Sequence, residues 1–268
     1  KINNLKNDIR NGTQILAKCG IPIQGKKIMD VGCYLGLQCF GAMELGAGEA
    51  VGIDIPEYYV NQSTNNESVD ASKVLENKRD KIRKLHPHLD QSKISFKDVS
   101  VFEMDYENEF DIIFSWETFE HIMNPKEALA RIYKALKPGG IVFSQYNPFF
   151  CISGGHSMCT LDFPFAHTLL TDEDFKKYVE TIVPENAPPK YSELSYNFFT
   201  KNLNRMTQND LTKYINDVGF ELVNFMSMPD LSLLNVIDDS TLDSAKTIHP
   251  TLTLNDLLCS SVYFIGRK

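Results

Sequence analysis

KIMDVGCYLGLQCFGAMELGAGEAVGIDI, residues 27–55, decides the fold. Ile28, Met29 and Val31 make an apolar strand carrying Asp30 near its end, and Gly32 and Gly36 then allow a sharp turn close to a ligand, where a Cβ would collide. Leu37 to Leu45 supplies a helix that Gly46, Ala47 and Gly48 break. Ala50 to Ile53 forms the next strand and delivers Asp54 at its carboxyl end, where open α/β sheets bind ligands and where a carboxylate can accept the two hydroxyls of a ribose. Strand, glycine turn, helix, strand and acid in that order describe a nucleotide-cofactor pocket.

The turn also discriminates between cofactors. A dinucleotide fingerprint places a second glycine where the pyrophosphate lies, but the run here is Gly32-Cys33-Tyr34-Leu35-Gly36, and Asp30 would repel a pyrophosphate. That departure speaks against a nicotinamide oxidoreductase. An acid ahead of the glycines suits a cofactor with a positive centre and an ammonium group.

On these residues the sequence resembles the class I S-adenosylmethionine-dependent methyltransferases, whose first motif is an acid followed by three alternate glycines. Asp30, Gly32 and Gly36 match it, and Tyr34 stands in place of the middle glycine. Further stretches match in order. ISFKDV (94–99) resembles the third strand, with Asp98 at the family's polar contact to the adenine amine. FDIIFS (110–115) resembles the fourth, followed by WETFEHI with the E-x-x-x-H segment of small-molecule enzymes. ALARIYKALKPGGIVFS, from Ala128, resembles the next helix, its Pro138-Gly139-Gly140 stop and the fifth strand. The likeness is good over residues 20–150 and looser beyond. It implies a doubly wound, Rossmann-like α/β fold: a seven-stranded sheet, mostly parallel with an antiparallel last strand, and a lid or insertion after the fifth strand. It also implies S-adenosyl-L-methionine as cofactor, held by Asp30, Gly32, Cys33, Tyr34, Gly36, Asp54, Ile55, Asp98, Val99, Ser115, Trp116 and Glu117.

The organisation expected is one domain over 1–268, with a cofactor core at about 20–150, a substrate lid and insertion at about 147–215 and closing strands at about 216–268. Residues 61–70 (NQSTNNESVD) read as a polar loop. NPFFCISGGHSMCTLDFPFAHTLL (147–170) is aperiodic and rich in aromatic residues, as binding loops are. Asp172 to Thr181 and Gln208 to Val218 read as helices, the second capped by Thr207 and ended by Gly219. Phe220 to Met226 and Ser261 to Ile265 read as closing strands, and residues 229–258 show no pattern that assigns them.

A formal net charge of −8 argues against nonspecific contact with nucleic acid or an anionic membrane, since a summed negative field repels both. The charged run Lys73 to Lys84 alternates signs at helical spacing and reads as a solvated helix face. Six cysteines (Cys19, Cys33, Cys39, Cys151, Cys159 and Cys259) in no zinc-type pairs fit a reduced, cytoplasmic protein, and no apolar run reaches the ~20 residues of a bilayer span.

Methyl transfer to a hydroxyl needs a base, whereas transfer to an amine does not. His121, after the fourth strand, and His156 and His167, in the loop after the fifth, are the candidates, since histidine titrates near neutrality. Cys151, His156, Cys159, Asp162 and His167 fit no closed zinc pattern, and no metal is expected. Phe149, Phe150, Phe163, Phe165, Tyr196, Phe198 and Phe199 line a pocket or pack the lid. The GGH and AH segments resemble those of bacterial sugar-associated members, so a sugar, including a nucleotide-activated one used for surface polysaccharide, is the expected acceptor. A quinol or amine acceptor and a non-catalytic cofactor-binding protein are the alternatives. Oligomeric state is not legible.

Overall fold

The computed structural model describes residues 2–55, 70–156, 161–182 and 191–268, with side chains from residue 8 onward and, in the last span, from residue 195. Cys159 and most of the 61–70 loop lie outside these. Seven strands are β1 (Lys27–Val31), β2 (Glu49–Asp54), β3 (Ile94–Asp98), β4 (Phe110–Trp116), β5 (Leu136–Tyr146), β6 (Glu221–Pro229) and β7 (Cys259–Arg267). They form one mixed sheet in the order β3-β2-β1-β4-β5-β7-β6, the last strand antiparallel, which is the fold the sequence implied. β1 runs parallel to both β2 and β4, pairing Asp30 with Gly52 on one side and Phe114 on the other. Strand order reverses between β1 and β4, and ligands bind such sheets beyond the carboxyl ends at that switch point.

The chain divides into two compact units. The first comprises Lys1–Trp116, Glu127–Ser144 and Ile265–Lys268. Its central strands are buried along nearly their whole length, as Val/Ile-rich parallel strands covered on both faces must be. Helix α1 (Ile2–Lys18) lies close to α2 (Leu37–Glu44), and Gly12 gives the Trp116 ring room where a Cβ would stand 2.7 Å from Cη2. Helix α3 (Ala71–Arg83) buries Ala71, Leu75, Arg79 and Ile82, a stripe at helical spacing. Arg79 thereby departs from the solvated face expected for that run: it is 1% exposed. Pro138-Gly139-Gly140 does not separate helix from strand, because α4 (Pro125–Ala135) ends earlier and the tripeptide lies inside β5. There it pairs with Lys268, Gly139 N–H donating to Lys268 O and Lys268 N–H to Gly140 O, both at 2.9 Å.

The second unit comprises Glu117–Lys126 and Gln145–Phe264. Its core is aromatic: Phe149, Phe150, Phe165, Phe175, Phe198 and Phe199 are all buried, with Phe175 and Phe199 stacked at 3.8 Å. Thr207 and Asp210 form a capping box on the helix Gln208–Val218, and Gly219 ends it at φ 104°. Residues 229–258, unassigned by pattern, form a 3₁₀ turn (Leu231–Asn235) and helices Asp239–Ile248 and Leu254–Leu258.

Candidate active site

In the first unit the glycine turn is held by its own backbone groups. Gly32 and Cys33 N–H both donate to Ile53 O, at 2.9 and 3.1 Å, which pins the turn to the end of β2. The Cys33 side chain is buried above β2. A Cβ at Gly52 would stand 2.6 Å from its Sγ, which explains a glycine inside that strand. Burial also pushes the Cys33 thiol well above its ordinary value, so it is a packing group.

Gly32, Tyr34 and Gly36 all take positive φ, at 80°, 44° and 75°. Tyr34 thus adopts a left-handed conformation of the kind that favours glycine, at a cost of about 1–2 kcal/mol. Two side chains hold it there. Asp54 accepts Tyr34 N–H at 2.5 Å on one oxygen and Ile55 N–H at 2.7 Å on the other. Arg79 donates from Nε at 2.9 Å and from Nη2 at 2.8 Å to the Tyr34 carbonyl. The guanidinium also lies 4.5 Å from the Phe96 ring centroid and reaches Asp98 at 3.5 Å. Arg79 is the residue that sequence reasoning missed, and its only signal was the apolar stripe it continues.

Asp30 is 2% exposed, and neither carboxyl oxygen has a hydrogen-bond partner among the described residues. Burial, with a smaller contribution from the Asp54 charge, pushes its carboxyl up to about 8. A buried acid without a partner is costly, and a donor or cation bound beside it removes that cost. Asp54 is buried too, and its carboxyl is raised by desolvation against the lowering pull of its two N–H donors. Each of its oxygens keeps a second acceptor site. A vicinal diol and an ammonium group therefore fit the donor requirements of these two acids.

The other expected cofactor residues are placed as follows. Asp98 is engaged by Arg79, and Val99 is half-buried beyond the end of β3. Ser115 Oγ donates to Val31 O at 3.1 Å, tying β4 to β1 at the switch point. The Trp116 ring is committed to the core, 5.0 Å from that of Phe143. Ile55 is exposed at the end of β2. Glu117 belongs to the second unit, at φ 46°, its N–H donating to Gln145 O.

In the second unit His121 and His156 are neighbours, with ring centroids 6.1 Å apart, and Phe198 lies 4.3 Å from His156 and 5.9 Å from His121. Nδ1 of His121 sits 2.8 Å from Asn202 O. A carbonyl only accepts, so that nitrogen carries the proton and Nε2 carries the lone pair. Desolvation lowers both imidazoles below their ordinary value and keeps them neutral at pH 7. Asn204 fixes the His121 segment by donating to Phe119 O at 2.6 Å and Ile122 O at 2.8 Å, a role without a sequence signal. Glu120 is buried, its carboxyl pushed up to about 8 by desolvation.

His167 has a different setting: 1% exposed, edge-on to Phe149 and held by backbone groups of Cys151 and Phe149, with burial lowering it to about 4. Cys151 and Phe165 are buried, and Asp162 accepts from Tyr178 Oη at 2.8 Å.

A family model described as "Methyltransferase domain" matches residues 5–224. A relative named ubiquinone biosynthesis O-methyltransferase, mitochondrial, from Dictyostelium discoideum is 26% identical over 126 residues, covering 46% of this chain and 36% of its own length. The chain spans less than half the length of the curated relatives it matches there. Among solved structures, magnesium protoporphyrin IX methyltransferase from Synechocystis PCC 6803, with bound S-adenosylhomocysteine, shares the fold at TM-score 0.55 and 11% identity, over 98% of this chain and 82% of that one. An S-adenosylmethionine-dependent methyltransferase from Mesorhizobium loti has TM-score 0.51 at 12% identity, over 96% of this chain and 98% of that one.

Proposed function

We propose that this chain, which belongs to the S-adenosylmethionine-dependent methyltransferase family of the class I fold, methylates a hydroxyl of a small aromatic acceptor, a quinol or other phenol. The observation that carries the reading is His121: a neutral imidazole whose tautomer is fixed by the Asn202 carbonyl, beside a second neutral imidazole and an aromatic ring. S-adenosylmethionine, when bound, supplies an electrophilic methyl group on a sulfonium. Asp30 and Asp54 would hold its ammonium and ribose groups. His121 Nε2 would take the acceptor's proton.

The strength of the base bears on the acceptor. A histidine shifted below its ordinary pKa is a weak base, and a phenolic hydroxyl with a pKa near 10 gives up its proton far more readily than an aliphatic one. Aromatic side chains around both histidines also suit a flat ring. The Dictyostelium discoideum relative is named for ubiquinone biosynthesis, which supports the same choice. The sugar acceptor suggested by the GGH and AH segments gains no support from the relatives. In this reading His167 positions its loop.

The test is a mass-spectrometric assay with S-adenosylmethionine and parallel panels of quinols, catechols, amines and sugar nucleotides. A product about fourteen mass units heavier is expected from the aromatic panel. His121→Gln should lower kcat by about 10²–10⁴ while S-adenosylhomocysteine affinity stays within about twofold. Methylation confined to sugar nucleotides or amines, or unchanged kcat in H121Q, would overturn the reading.

A further inference from the structure

The geometry points to a divalent transition-metal site in the first unit, formed by Glu44, His86 and His88 and suited to zinc. Glu44 is the last residue of α2, and the two histidines flank Pro87 just beyond α3. One donor atom from each residue lies within 4.8 Å of the other two. His86 Nδ1 stands 2.6 Å from Glu44 Oε1, and His88 Nε2 stands 3.9 Å from the same oxygen.

The short His86–Glu44 approach lacks the alignment of a hydrogen bond. Nδ1 of this buried histidine has no hydrogen-bond partner among the described residues. Two polar atoms that converge without sharing a proton in line are arranged as ligands are around a common cation.

The His86 ring is preformed. It stacks on Phe40 of α2 at 5.4 Å with an interplanar angle of 16°, and its carbonyl accepts from Gln91 Nε2 at 2.8 Å and from Leu89 N–H at 3.2 Å. His88 is exposed and can complete the set by rotating its side chain. Bonds of about 2.0–2.1 Å to a tetrahedral ion require donors roughly 3.3 Å apart. The 2.6 Å pair would therefore open slightly while the 3.9 Å pair between His88 and Glu44 closes. Two imidazoles and one carboxylate suit zinc with water in the fourth position, whereas magnesium and calcium take oxygen ligands.

The site lies at the far end of α2 from Gly36, about 12 Å along an eight-residue helix. The ion would therefore link the helix that starts at the glycine turn to the segment following the helix that carries Arg79. Its role is structural, and its test is independent of methyl transfer.

The full chain, stripped with EDTA, is titrated calorimetrically with zinc chloride, and cobalt chloride is used for visible absorption. Expected are one equivalent of zinc per chain, a rise in Tm with zinc, and a tetrahedral cobalt spectrum without a thiolate charge-transfer band. His88→Ala, a change at an exposed side chain, should weaken zinc binding at least tenfold and abolish the Tm rise. Glu44→Gln should weaken binding in the same direction. No saturable uptake, equal affinity in H88A, or a thiolate band that assigns the ion to cysteines would overturn the proposal.

Discussion

Asp30 should make cofactor binding release a proton, and the size of the effect follows from its surroundings. Its carboxyl is pushed up to about 8 by burial, aided by the Asp54 charge. In the ligand-free chain at pH 7 roughly one Asp30 in ten is then ionised. An ammonium or sulfonium bound nearby favours the ionised form and returns its pKa toward the ordinary carboxylate range. Apparent affinity then scales inversely with 1 + 10^(8 − pH), a factor of about 100 at pH 6 and about 4 at pH 7.5. S-adenosylhomocysteine, whose α-ammonium stays largely protonated over that window, should therefore bind about 25-fold more tightly at pH 7.5 than at pH 6. Calorimetry in buffers of different ionisation enthalpy should register nearly one proton released per ligand at pH 6. Asp30→Asn should bind weakly at both pH values and flatten the dependence. The sign for the ligand-free fold is opposite: a carboxyl raised on folding contributes stability that is complete below about pH 4 and is lost as pH rises toward 8. Affinity independent of pH, no proton release, or wild-type binding by D30N would refute the assignment of Asp30 to the cationic part of the cofactor.

Two other perturbations follow from the same geometry. Arg79→Met removes both donors to the Tyr34 carbonyl and should lower S-adenosylhomocysteine affinity by about tenfold or more, since hydrogen bonds from a charged group contribute about 1.5–3 kcal/mol. Adding Tyr34→Gly should restore part of that affinity, and a double-mutant cycle by calorimetry with no coupling would break the link between the two residues. His167, neutral and held at about 4, is depressed on folding, so its contribution to stability is present above pH 6.5 and is lost as pH falls through 4, about 3 kcal/mol in all. Urea denaturation of wild type and His167→Gln from pH 7 to pH 4 should show a smaller acid loss in the variant, and parallel curves would disprove the assignment.

What was legible in the sequence was whatever local pattern dictates. Apolar runs bounded by glycine located β1 and β2, and Thr207 with Gly219 bounded the helix between them to the residue. Residues 229–258 escaped because their helices are short and the apolar side chains they and their connections bury, Leu233, Ala245, Leu252, Leu257 and Leu258, follow no sustained period. Their caps at Asp238 and Thr253 were the readable signal. The pairing of His121 with His156 and Phe198, and the support from Asn202 and Asn204, depended on contacts 35 to 85 residues apart that no local window contains.

Tyr34 and Arg79 carry this point furthest. Read locally, Tyr34 is a defect in a glycine motif, and Arg79 is one charge among many on a solvated helix. In the structure they are two halves of one device: the tyrosine takes a left-handed backbone conformation, and the arginine, 45 positions on, secures the carbonyl of that strained residue. A buried guanidinium is expensive unless its donors are used, and a left-handed tyrosine persists only where its surroundings over-determine it. Each residue supplies the condition that the other requires. The departure from the family's glycine pattern is therefore compatible with a formed turn in this chain, held from one side by Asp54 and from the other by Arg79.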